Sequence, residues 1–298
     1  MHSFLLLACA SVEEAPARDS ATLPDSDPGT FAGSYVEVRC GGNNLCALDA
    51  EGAVHCWYNG VSTPVESSQL EPNPRDFDVD TYLFVLDGDG ALVLPENSAR
   101  QLSGTYTEVE VSAVGACALS EDGAIECTDD FWCSGFPLRT ERGYADFVRT
   151  PQYYCGLDAA GAVTCWGNYP GSDCAEEDTC HCIGDPLTLP GPYEALARGD
   201  VLCLLDADGV AECPFVEVAP PSEAFSELDA DGIACGIRDD GTGTCWDTLD
   251  GSTLEAPAGQ LRSLCGAPAY GADRGVCAVT VSGALICTGA YAEWAPVP

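Results

Sequence analysis

Residues 46–56 read CALDAEGAVHC, and an eleven-residue unit of this kind occurs seven times along the chain. Cysteine stands first and last in six copies, and glycine stands seventh in all of them. The units start at Cys46, Phe84, Cys117, Cys155, Cys203, Cys235 and Cys277, and they end at Cys56, Leu94, Cys127, Cys165, Cys213, Cys245 and Cys287. Because the glycines keep one register, the pattern is a structural repeat and not a chance spacing of cysteines.

The unit is typical of a β-hairpin. Two short strands flank a three-residue loop, and Gly52 supplies the positive φ that such a loop requires. Asp49 and Ala53 then form the hydrogen-bonded pair next to the turn, which places Cys46 opposite Cys56 at a non-hydrogen-bonded site. The two Cα atoms approach there to about 4.5–5.5 Å, within disulfide range. We therefore predict a cross-strand disulfide in six units and an apolar Phe84–Leu94 pair in the second.

The cysteine content indicates an oxidising compartment. Nineteen cysteines in 298 residues are typical of an extracytoplasmic protein. Twelve belong to the six hairpin pairs, and Cys9 is treated separately below. The other six, enough for three more disulfides, are Cys40, Cys133, Cys174, Cys180, Cys182 and Cys265.

Residues 3–9, SFLLLAC, resemble the end of a bacterial lipoprotein signal peptide, in which a small residue precedes a lipidated cysteine. We expect residues 1–9 to be such a segment with Cys9 lipidated; a signal cleaved elsewhere and a structural cysteine are the alternatives. Residues 10–30, rich in Pro, Ser, Asp and Ala, predict a flexible tether, and residues 31–298 the folded domain. The chain is thus expected to be a bacterial outer-membrane lipoprotein or a secreted protein, touching the membrane only through a lipid anchor.

The charge balance disfavours nucleic acid as a partner. The chain carries 48 acidic and 11 basic residues, for a net charge of −37, which opposes binding to a phosphate backbone. Three stretches resemble calcium loops, namely Asp87–Gly90, Asp206–Gly209 and Asp229–Gly232. The first two lie on predicted hairpin turns, where Asp and Gly are turn formers, and none is followed by the spaced glutamate of an EF-hand. We expect neither a metal nor a cofactor.

The spacing of the units predicts an all-β fold. Unit starts fall 32 to 48 residues apart, and an aromatic residue opens a further strand before five units, at Tyr35, Tyr106, Tyr144, Tyr193 and Phe225. Almost no helix is expected, because no stretch combines a helical apolar period with a cap. Repeats of about 40 residues stack as blades around an axis, and closure removes exposed strand edges. The prediction is a monomeric seven-bladed β-propeller of short antiparallel blades with disulfide-stapled hairpins.

Residues 38–48, VRCGGNNLCAL, followed by residues 52–57, GAVHCW, resemble the regulator-of-chromosome-condensation repeat. Asn44 stands where that family usually has histidine, and tryptophan follows the second cysteine only at Trp57, Trp166 and Trp246. The resemblance spans all seven units and implies a seven-bladed propeller. Members of the family include a nucleotide-exchange factor and a secreted β-lactamase inhibitor, whose partner-binding residues lie outside the repeat pattern, so none is carried over.

Ring closure suggests partners for the remaining cysteines. Cys40 and Cys265 occupy similar places before the hairpins of the first and last blades, which become neighbours in a ring, so we predict a disulfide across that seam. The other four, Cys133, Cys174, Cys180 and Cys182, lie in excursions after the third and fourth hairpins, where two disulfides would brace long loops. The alternative is a zinc site built from Cys174, His181 and the two cysteines beside it.

The sequence gives little support for catalysis. The chain has three histidines, His2, His55 and His181, none placed for a nucleophile–histidine arrangement, and no phosphate-binding loop or zincin motif occurs. We therefore predict a non-enzymatic, cell-surface or secreted scaffold that recognises a protein or envelope component through its loops. The alternatives are a secreted inhibitor of an extracellular enzyme and a carboxylate-dependent hydrolase.

Aromatic residues near the inserted loops of the third and fourth blades give a candidate contact surface. They are Trp132, Tyr153, Tyr154, Trp166 and Tyr169. For these side chains we favour packing between blades over contact with a partner.

Overall fold

A computed structural model describes residues 29–42, 44–58, 65–66, 73–80, 83–93, 102, 104–112, 115–128, 140, 142–167, 185–268 and 274–294. These residues form seven sheets whose paired strands run antiparallel, and their one helical element is a 3-10 turn at Ala290–Trp294. Each of the seven units lies in a sheet of its own. The all-β prediction is confirmed.

Within six sheets the strands pair in chain order, starting from the strand that precedes the hairpin. The first four sheets comprise β2 (Tyr35–Gly41), β3 (Asn44–Asp49), β4 (Val54–Tyr58) and β5 (Val65–Glu66); β6 (Asp76–Val79), β7 (Leu83–Leu86) and β8 (Leu92–Val93); β9 (Tyr106–Ser112), β10 (Gly115–Ser120) and β11 (Ile125–Cys127); and β12 (Tyr144–Arg149), β13 (Tyr153–Asp158), β14 (Val163–Gly167) and β15 (Leu187–Leu189). The next two comprise β16 (Tyr193–Leu196), β17 (Leu204–Asp206) and β18 (Ala211–Glu212), and β19 (Phe225–Asp231), β20 (Ile233–Arg238), β21 (Gly243–Asp247) and β22 (Thr253–Leu254). The last combines β23 (Leu261–Pro268), β24 (Arg274–Thr280) and β25 (Leu285–Gly289) with β1 (Gly29–Phe31) from the start of the described chain.

Strand β1 completes the last sheet by pairing with β25, in the register Gly29↔Cys287 to Phe31↔Leu285. The predicted tether, residues 10–30, is therefore wrong at its end: Gly29 and Thr30 belong to the propeller. Their backbone is paired, and the adjacent Phe31 is buried against Trp57 of the first sheet, with ring centroids 4.7 Å apart. Residues 1–28, including Cys9, lie outside the described residues.

A disulfide spans the same seam. Cys40 of β2 is bonded to Cys265 of β23, with their Cα atoms 5.6 Å apart. The two residues are 225 positions apart in the chain, so this bond joins the first blade to the last, as predicted. A paired strand and a covalent bond thus close the ring together.

The hairpins have the predicted geometry. Asp49 N–H donates to the Ala53 carbonyl at 2.9 Å, and Cys46 lies opposite Cys56. In all six cysteine hairpins the predicted partners are bonded, with Cα–Cα distances of 4.0–4.1 Å. The seven turn glycines have φ between +74° and +87°. Leu94, the partner predicted for Phe84, lies outside the described residues.

The apolar core lies between neighbouring blades. The Cys46–Cys56 disulfide, for example, packs with Phe77, Val79 and Val85 of the second sheet in one buried cluster. Similar clusters join other adjacent sheets. Because each blade buries its face against the next, the ring axis is left to polar side chains.

The turn of the second unit offers a matched test of the glycine requirement. Gly90 has φ +81°, and a Cβ there would lie 2.5 Å from the Tyr106 carbonyl oxygen. Gly90→Ala should therefore lower the free energy of unfolding by about 1–3 kcal/mol. At Gly88, two residues earlier, the nearest atom to an added Cβ is 3.8 Å away. Gly88→Ala should be neutral or stabilise by up to about 1 kcal/mol. Denaturant titration of the oxidised proteins measures both, and equal losses would contradict the geometry.

Candidate functional site

The first strands of the sheets bring charged side chains to a common axis. Arg39 of β2, Asp76 of β6, Glu108 of β9 and Arg198, which follows β16, meet there within ion-pair distance. These strands alternate charged and apolar residues, so one face of each meets the next blade and the other faces the axis. The axis is therefore a buried charge network held by several blades.

Arg198 is the hub of this network. Its Nη1 lies 3.3 Å from Asp76 Oδ1, its Nη2 lies 2.9 Å from Glu108 Oε1, and its Nε lies 3.2 Å from Glu110 Oε1. The side chain of Glu110 is only 1% exposed. Arg39 lies 3.8 Å from Asp76 and pairs with Glu37 of its own strand. One guanidinium thus joins carboxylates from two blades, an arrangement that its planar set of five donors favours.

Axial side chains also bond the backbone of the next blade. The bonds run from Val109 N–H to Asp76 Oδ2 (2.8 Å), from Val111 N–H to Asp78 Oδ2 (2.7 Å), from Leu196 N–H to Asp146 Oδ2 (2.9 Å) and from Val38 N–H to Ser263 Oγ (3.2 Å). Each bond links the first strand of one sheet to the first strand of its neighbour. The same side chains therefore fix the spacing of the blades and line the axis.

Burial raises the pKa of several axial carboxyl groups. It raises the pKa of Glu108 and of Asp229 to about 8 and that of Asp78 to about 6, against the opposing pull of the nearby arginines. The pKa of Glu110 is also well above its usual value, first because of burial and then because of neighbouring carboxylates. Part of the axis is therefore protonated at neutral pH, which relieves repulsion among buried carboxylates.

A second carboxyl cluster lies near the axis, made of Asp80, Asp200 and Asp231. Burial raises the pKa of Asp80 and of Asp200 to about 6, and it raises that of Asp231 further, with repulsion from neighbouring carboxylates adding to the effect. Asp200 and Asp231 share a side-chain hydrogen bond. Within the described ranges, no group of three or more His, Cys, Asp or Glu side chains is arranged to hold a metal ion.

The calcium-like stretches have other structural roles. Asp87 Oδ1 accepts hydrogen bonds from the N–H groups of Asp89 and Ala91, both at 2.9 Å. Asp206 repeats this pattern in its own turn, so both are turn formers, as expected from the sequence. In the third stretch, residues 229–231 are the last residues of strand β19 and therefore do not form a loop.

A cavity of about 400 Å³ opens at one end of the axis. Its charged lining comprises Glu37, Arg39, Arg198, Glu227, Asp229 and Arg262. The cavity lies at the end of the axis where the first strands of the sheets begin. The hairpin turns lie at the same end: the N–H of Phe225, the first residue of β19, donates to the carbonyl of the turn glycine Gly209 at 2.8 Å. We call this end the hairpin-turn face. Asp229 is 8% exposed, and its Oδ1 has no hydrogen-bond partner.

Tyr153 and Tyr154 do not belong to a contact surface and instead pack inside the fold, which is the interpretation favoured from the sequence. Tyr153 and Tyr154 are 6% and 1% exposed, since Tyr153 packs edge-on against Phe215 of the next blade and Tyr154 stacks on Trp166 at 5.1 Å. Trp166 is half-buried and also contacts Tyr144. These three side chains serve packing, because an aromatic at a strand end is covered by the neighbouring blade. Trp132 and Tyr169 lie outside the described residues.

Four of the predicted cysteines also lie outside the described part of the chain. They are Cys133, Cys174, Cys180 and Cys182, together with the zinc alternative that includes His181. Among the described residues, no helix is long and apolar enough to cross a membrane.

The axial carboxylates and Arg198 were not predicted from the sequence. The sequence does contain a signal for the axial carboxylates. Acidic and apolar residues alternate in the strands that precede the hairpins, at residues 76–80, 108–110 and 227–231. Such alternation on a first strand indicates one face toward the axis. Arg198 carried no comparable signal, because it stands 122 residues from Asp76.

Solved structures of several proteins superpose on most of this chain. Prp20p from Saccharomyces cerevisiae aligns with a TM-score of 0.59 and 13% identity, over 85% of this chain and 81% of that one. Human WBSCR16 gives 0.58 and 11% over 87% of each chain. The β-propeller domain of Cps50 (Swd1) from Myceliophteria thermophila gives 0.55 and 12%, over 88% of this chain and 99% of that one.

These comparisons establish the fold. Prp20p is the yeast RCC1 protein, so the likeness to regulator-of-chromosome-condensation propellers is confirmed at the level of a β-propeller. No family model matches this sequence, and no curated protein matches it.

Removing the hub arginine tests its structural role. Arg198→Met would leave Asp76, Glu108 and Glu110 without their guanidinium, and breaking a buried ion pair costs about 3–5 kcal/mol. Arg142 provides the control, because it pairs with Asp122 at 2.8 Å while its side chain is 71% exposed. Arg142→Gln should cost less than about 1 kcal/mol. Denaturant unfolding measures both free energies, and equal losses would show that Arg198 is not a hub.

The raised pKa values predict how stability depends on pH. Between the usual carboxyl pKa of about 4 and the folded-state values, the folded protein holds protons that the unfolded chain has lost, so stability falls as pH rises. The window extends to about 6 for Asp78 and about 8 for Glu108 and Asp229. The melting temperature of the oxidised protein should therefore be higher at pH 5.5 than at pH 8.

Salt separates the buried groups from the surface charge in this experiment. In 1 M NaCl the repulsion among exposed carboxylates is screened within about 3 Å. A difference in melting temperature between pH 5.5 and pH 8 that persists in this salt therefore arises from the buried groups. A melting temperature that rises from pH 5.5 to pH 8 in both salt conditions would contradict the prediction.

Proposed function

We propose that this chain is a non-enzymatic binding scaffold that recognises a protein partner through the turns and loops of its propeller. The supporting observation is a closed ring of small blades, cross-linked by seven disulfides among the described residues, that presents its turns on a fixed frame. Rigid presentation reduces the ordering cost of association. Among the structural neighbours, Prp20p has described binding properties toward Gsp1p and histones.

The proposed location is extracytoplasmic, either on the bacterial outer membrane through a lipidated Cys9 or in the medium. Buried disulfides support it, because such bonds persist in oxidising compartments. A protein partner would then be an envelope or extracellular protein. Inhibition of an extracellular enzyme is one form that such binding can take.

Catalysis is the second candidate, and one observation favours it. Glu227 and Asp229 stand two residues apart on β19, and both line the axial cavity. Paired carboxyl groups in a cleft suit hydrolytic acid–base chemistry. Against this, the described histidine, His55, bonds Asp49 at 2.6 Å on an outer hairpin, away from the cavity lining.

Site-specific photo-crosslinking tests the binding proposal. A benzophenone amino acid placed at the exposed turn residues Ala50, Ala159 or Ala207 should capture one envelope or extracellular protein, which should then bind the purified chain saturably. Leu249, 86% exposed on a loop between β21 and β22, is the matched position away from those turns. Leu249 should capture no specific protein, and the absence of crosslinking at all three turn positions would contradict the proposal. Hydrolysis of a glycan or peptide panel that is lost in Glu227→Gln would establish the enzyme instead.

A further inference from the structure

We propose that the axial cavity on the hairpin-turn face receives a basic side chain, an arginine or a lysine, from the protein partner, with Asp229 and Glu227 as its carboxylate acceptors. This inference rests on the proposed binding function and specifies the chemistry of its central contact. It follows from an unpartnered buried oxygen, from the charge balance along the axis and from the acidic rim around the cavity.

Asp229 has an acceptor that the protein does not satisfy. One carboxyl oxygen takes a hydrogen bond from the Gly266 N–H, whereas Oδ1 is buried without a partner. A buried acceptor left unsatisfied costs about 1–3 kcal/mol, and Asp229 lines the cavity directly. A cationic N–H donor entering the cavity supplies the missing bond.

The charge around the cavity favours a cation over an anion. Three arginines line it, Arg39, Arg198 and Arg262. Arg198 is already bound to three carboxylates and Arg39 to Glu37, while Arg39 Nε is a buried donor without a hydrogen-bond partner. The carboxyl groups that interact with these arginines number eight and are Glu37, Asp76, Asp78, Glu108, Glu110, Asp146, Glu227 and Asp229. Glu108 and Asp229, whose pKa values are raised to about 8, hold protons near neutral pH. The other acidic groups still outnumber the three arginines, so the axis is able to accept further positive charge.

The turns at the same end form an acidic rim. Their exposed carboxylates are Glu51, Asp89, Glu121, Asp122, Asp208, Asp239 and Asp240. A ring of like charge around a cleft concentrates ligands of the opposite sign and raises their association rate. The rim thus steers a basic surface toward the axis, and the cavity receives one side chain from it.

The volume suits one long side chain. About 400 Å³ lies in the range of about 300–1,000 Å³ typical of small-ligand sites. Arginine and lysine bury their aliphatic stems while their charged ends find acceptors. Leu196, Leu228 and Leu264 also line the cavity and offer the apolar surface that such a stem contacts.

Monovalent peptides test this site without the unknown partner. The probes are acetyl-Gly-Arg-Gly-amide, its lysine analogue, its uncharged citrulline analogue and acetyl-Gly-Glu-Gly-amide, titrated into the oxidised full chain by calorimetry at 0.15 M salt. We expect the arginine and lysine peptides to bind at one saturable site and the citrulline and glutamate peptides to bind at least about tenfold more weakly. Tighter binding of the glutamate peptide, or equal binding of the citrulline peptide, overturns the proposal.

Three variants locate the site. Asp229→Asn keeps the acceptor for Gly266 N–H and should weaken the cationic peptides by about 10- to 100-fold, and Glu227→Gln at the exposed mouth should weaken them by about 3- to 10-fold. Glu217→Gln removes the same charge from an exposed residue outside the cavity and should change affinity by less than about twofold. Equal effects of all three would mean diffuse attraction to an acidic protein and would overturn the site.

The pH dependence of peptide affinity distinguishes direct contact with Asp229 from a merely structural role of this residue. Binding a cation beside Asp229 displaces the proton that this carboxyl holds near neutral pH, so affinity should increase from pH 6.5 to pH 9. The titratable and charged groups that face Asp229 are Arg39 and Glu37 of β2, Asp78 of β6, Glu227 and Asp231 of its own strand, Arg198, Arg262 and Tyr291. The increase should become smaller in Asp229→Asn, where Glu108 still ionises in this pH range, and it should persist in full in Glu227→Gln. An unchanged pH profile in Asp229→Asn contradicts the assignment.

Failure of this inference is distinguishable from failure of the proposed function. A crosslinked partner whose affinity is unchanged in Asp229→Asn and Glu227→Gln would leave the scaffold standing and remove the axial site. Peptide binding at Asp229 with no protein partner at the turns would remove the scaffold and leave a small-ligand site.

Discussion

The covalent bond between facing cysteines of one short hairpin is the constraint on which this structure depends. Each blade has only three or four short strands, too few to bury a core of its own. Six of the seven hairpins are cross-linked, and each such bond removes conformational freedom from the unfolded chain, which stabilises the fold by about 2–3 kcal/mol for a loop of this length. The sulfur atoms also pack against the next blade, as Cys46 and Cys56 do beside Phe77. Stability therefore resides in the hairpins and between blades, and the axis is free to hold charged groups.

The axis of the propeller holds buried carboxyl groups. Buried carboxylates cost stability unless they are paired, and here the hub Arg198 and the backbone of adjacent blades satisfy most of them. Among the described residues, four buried carboxyl oxygens have no hydrogen-bond partner, namely Asp80 Oδ2, Glu110 Oε1, Asp229 Oδ1 and Asp231 Oδ2. Of these four residues, Asp229 is the one that lines the cavity on the hairpin-turn face. An unsatisfied polar group at such a place suits recognition better than folding. The acidic turns surround the same opening, so the geometry links the repeat, the net charge of −37 and the proposed basic partner.

The sequence predicted the repeated parts of this fold and missed the parts without a local pattern. Cysteine spacing and Gly52 specify a hairpin because turn geometry and disulfide reach act over eleven residues, and Cys40–Cys265 followed from ring closure. Strand β1 was missed because its three residues resemble the tether that precedes them. For Tyr153 and Tyr154 the sequence left both packing and partner contact open, because an aromatic residue at the end of a strand has the same local pattern whether or not a neighbouring blade covers it. The contacts of Arg198 join distant blades, and only the folded ring brings them together.

Disulfide mapping of the unreduced protein tests whether each cysteine hairpin is closed by its own disulfide. Proteolysis at low pH, where thiolate exchange is suppressed, followed by mass spectrometry identifies which cysteines are joined. The account predicts Cys46 bonded to Cys56, the same ten-residue spacing in the five equivalent hairpins, and Cys40 bonded to Cys265. A bond from Cys46, or from any of its five counterparts, to a cysteine outside its own hairpin would contradict the stapled blade and the axial site built upon it.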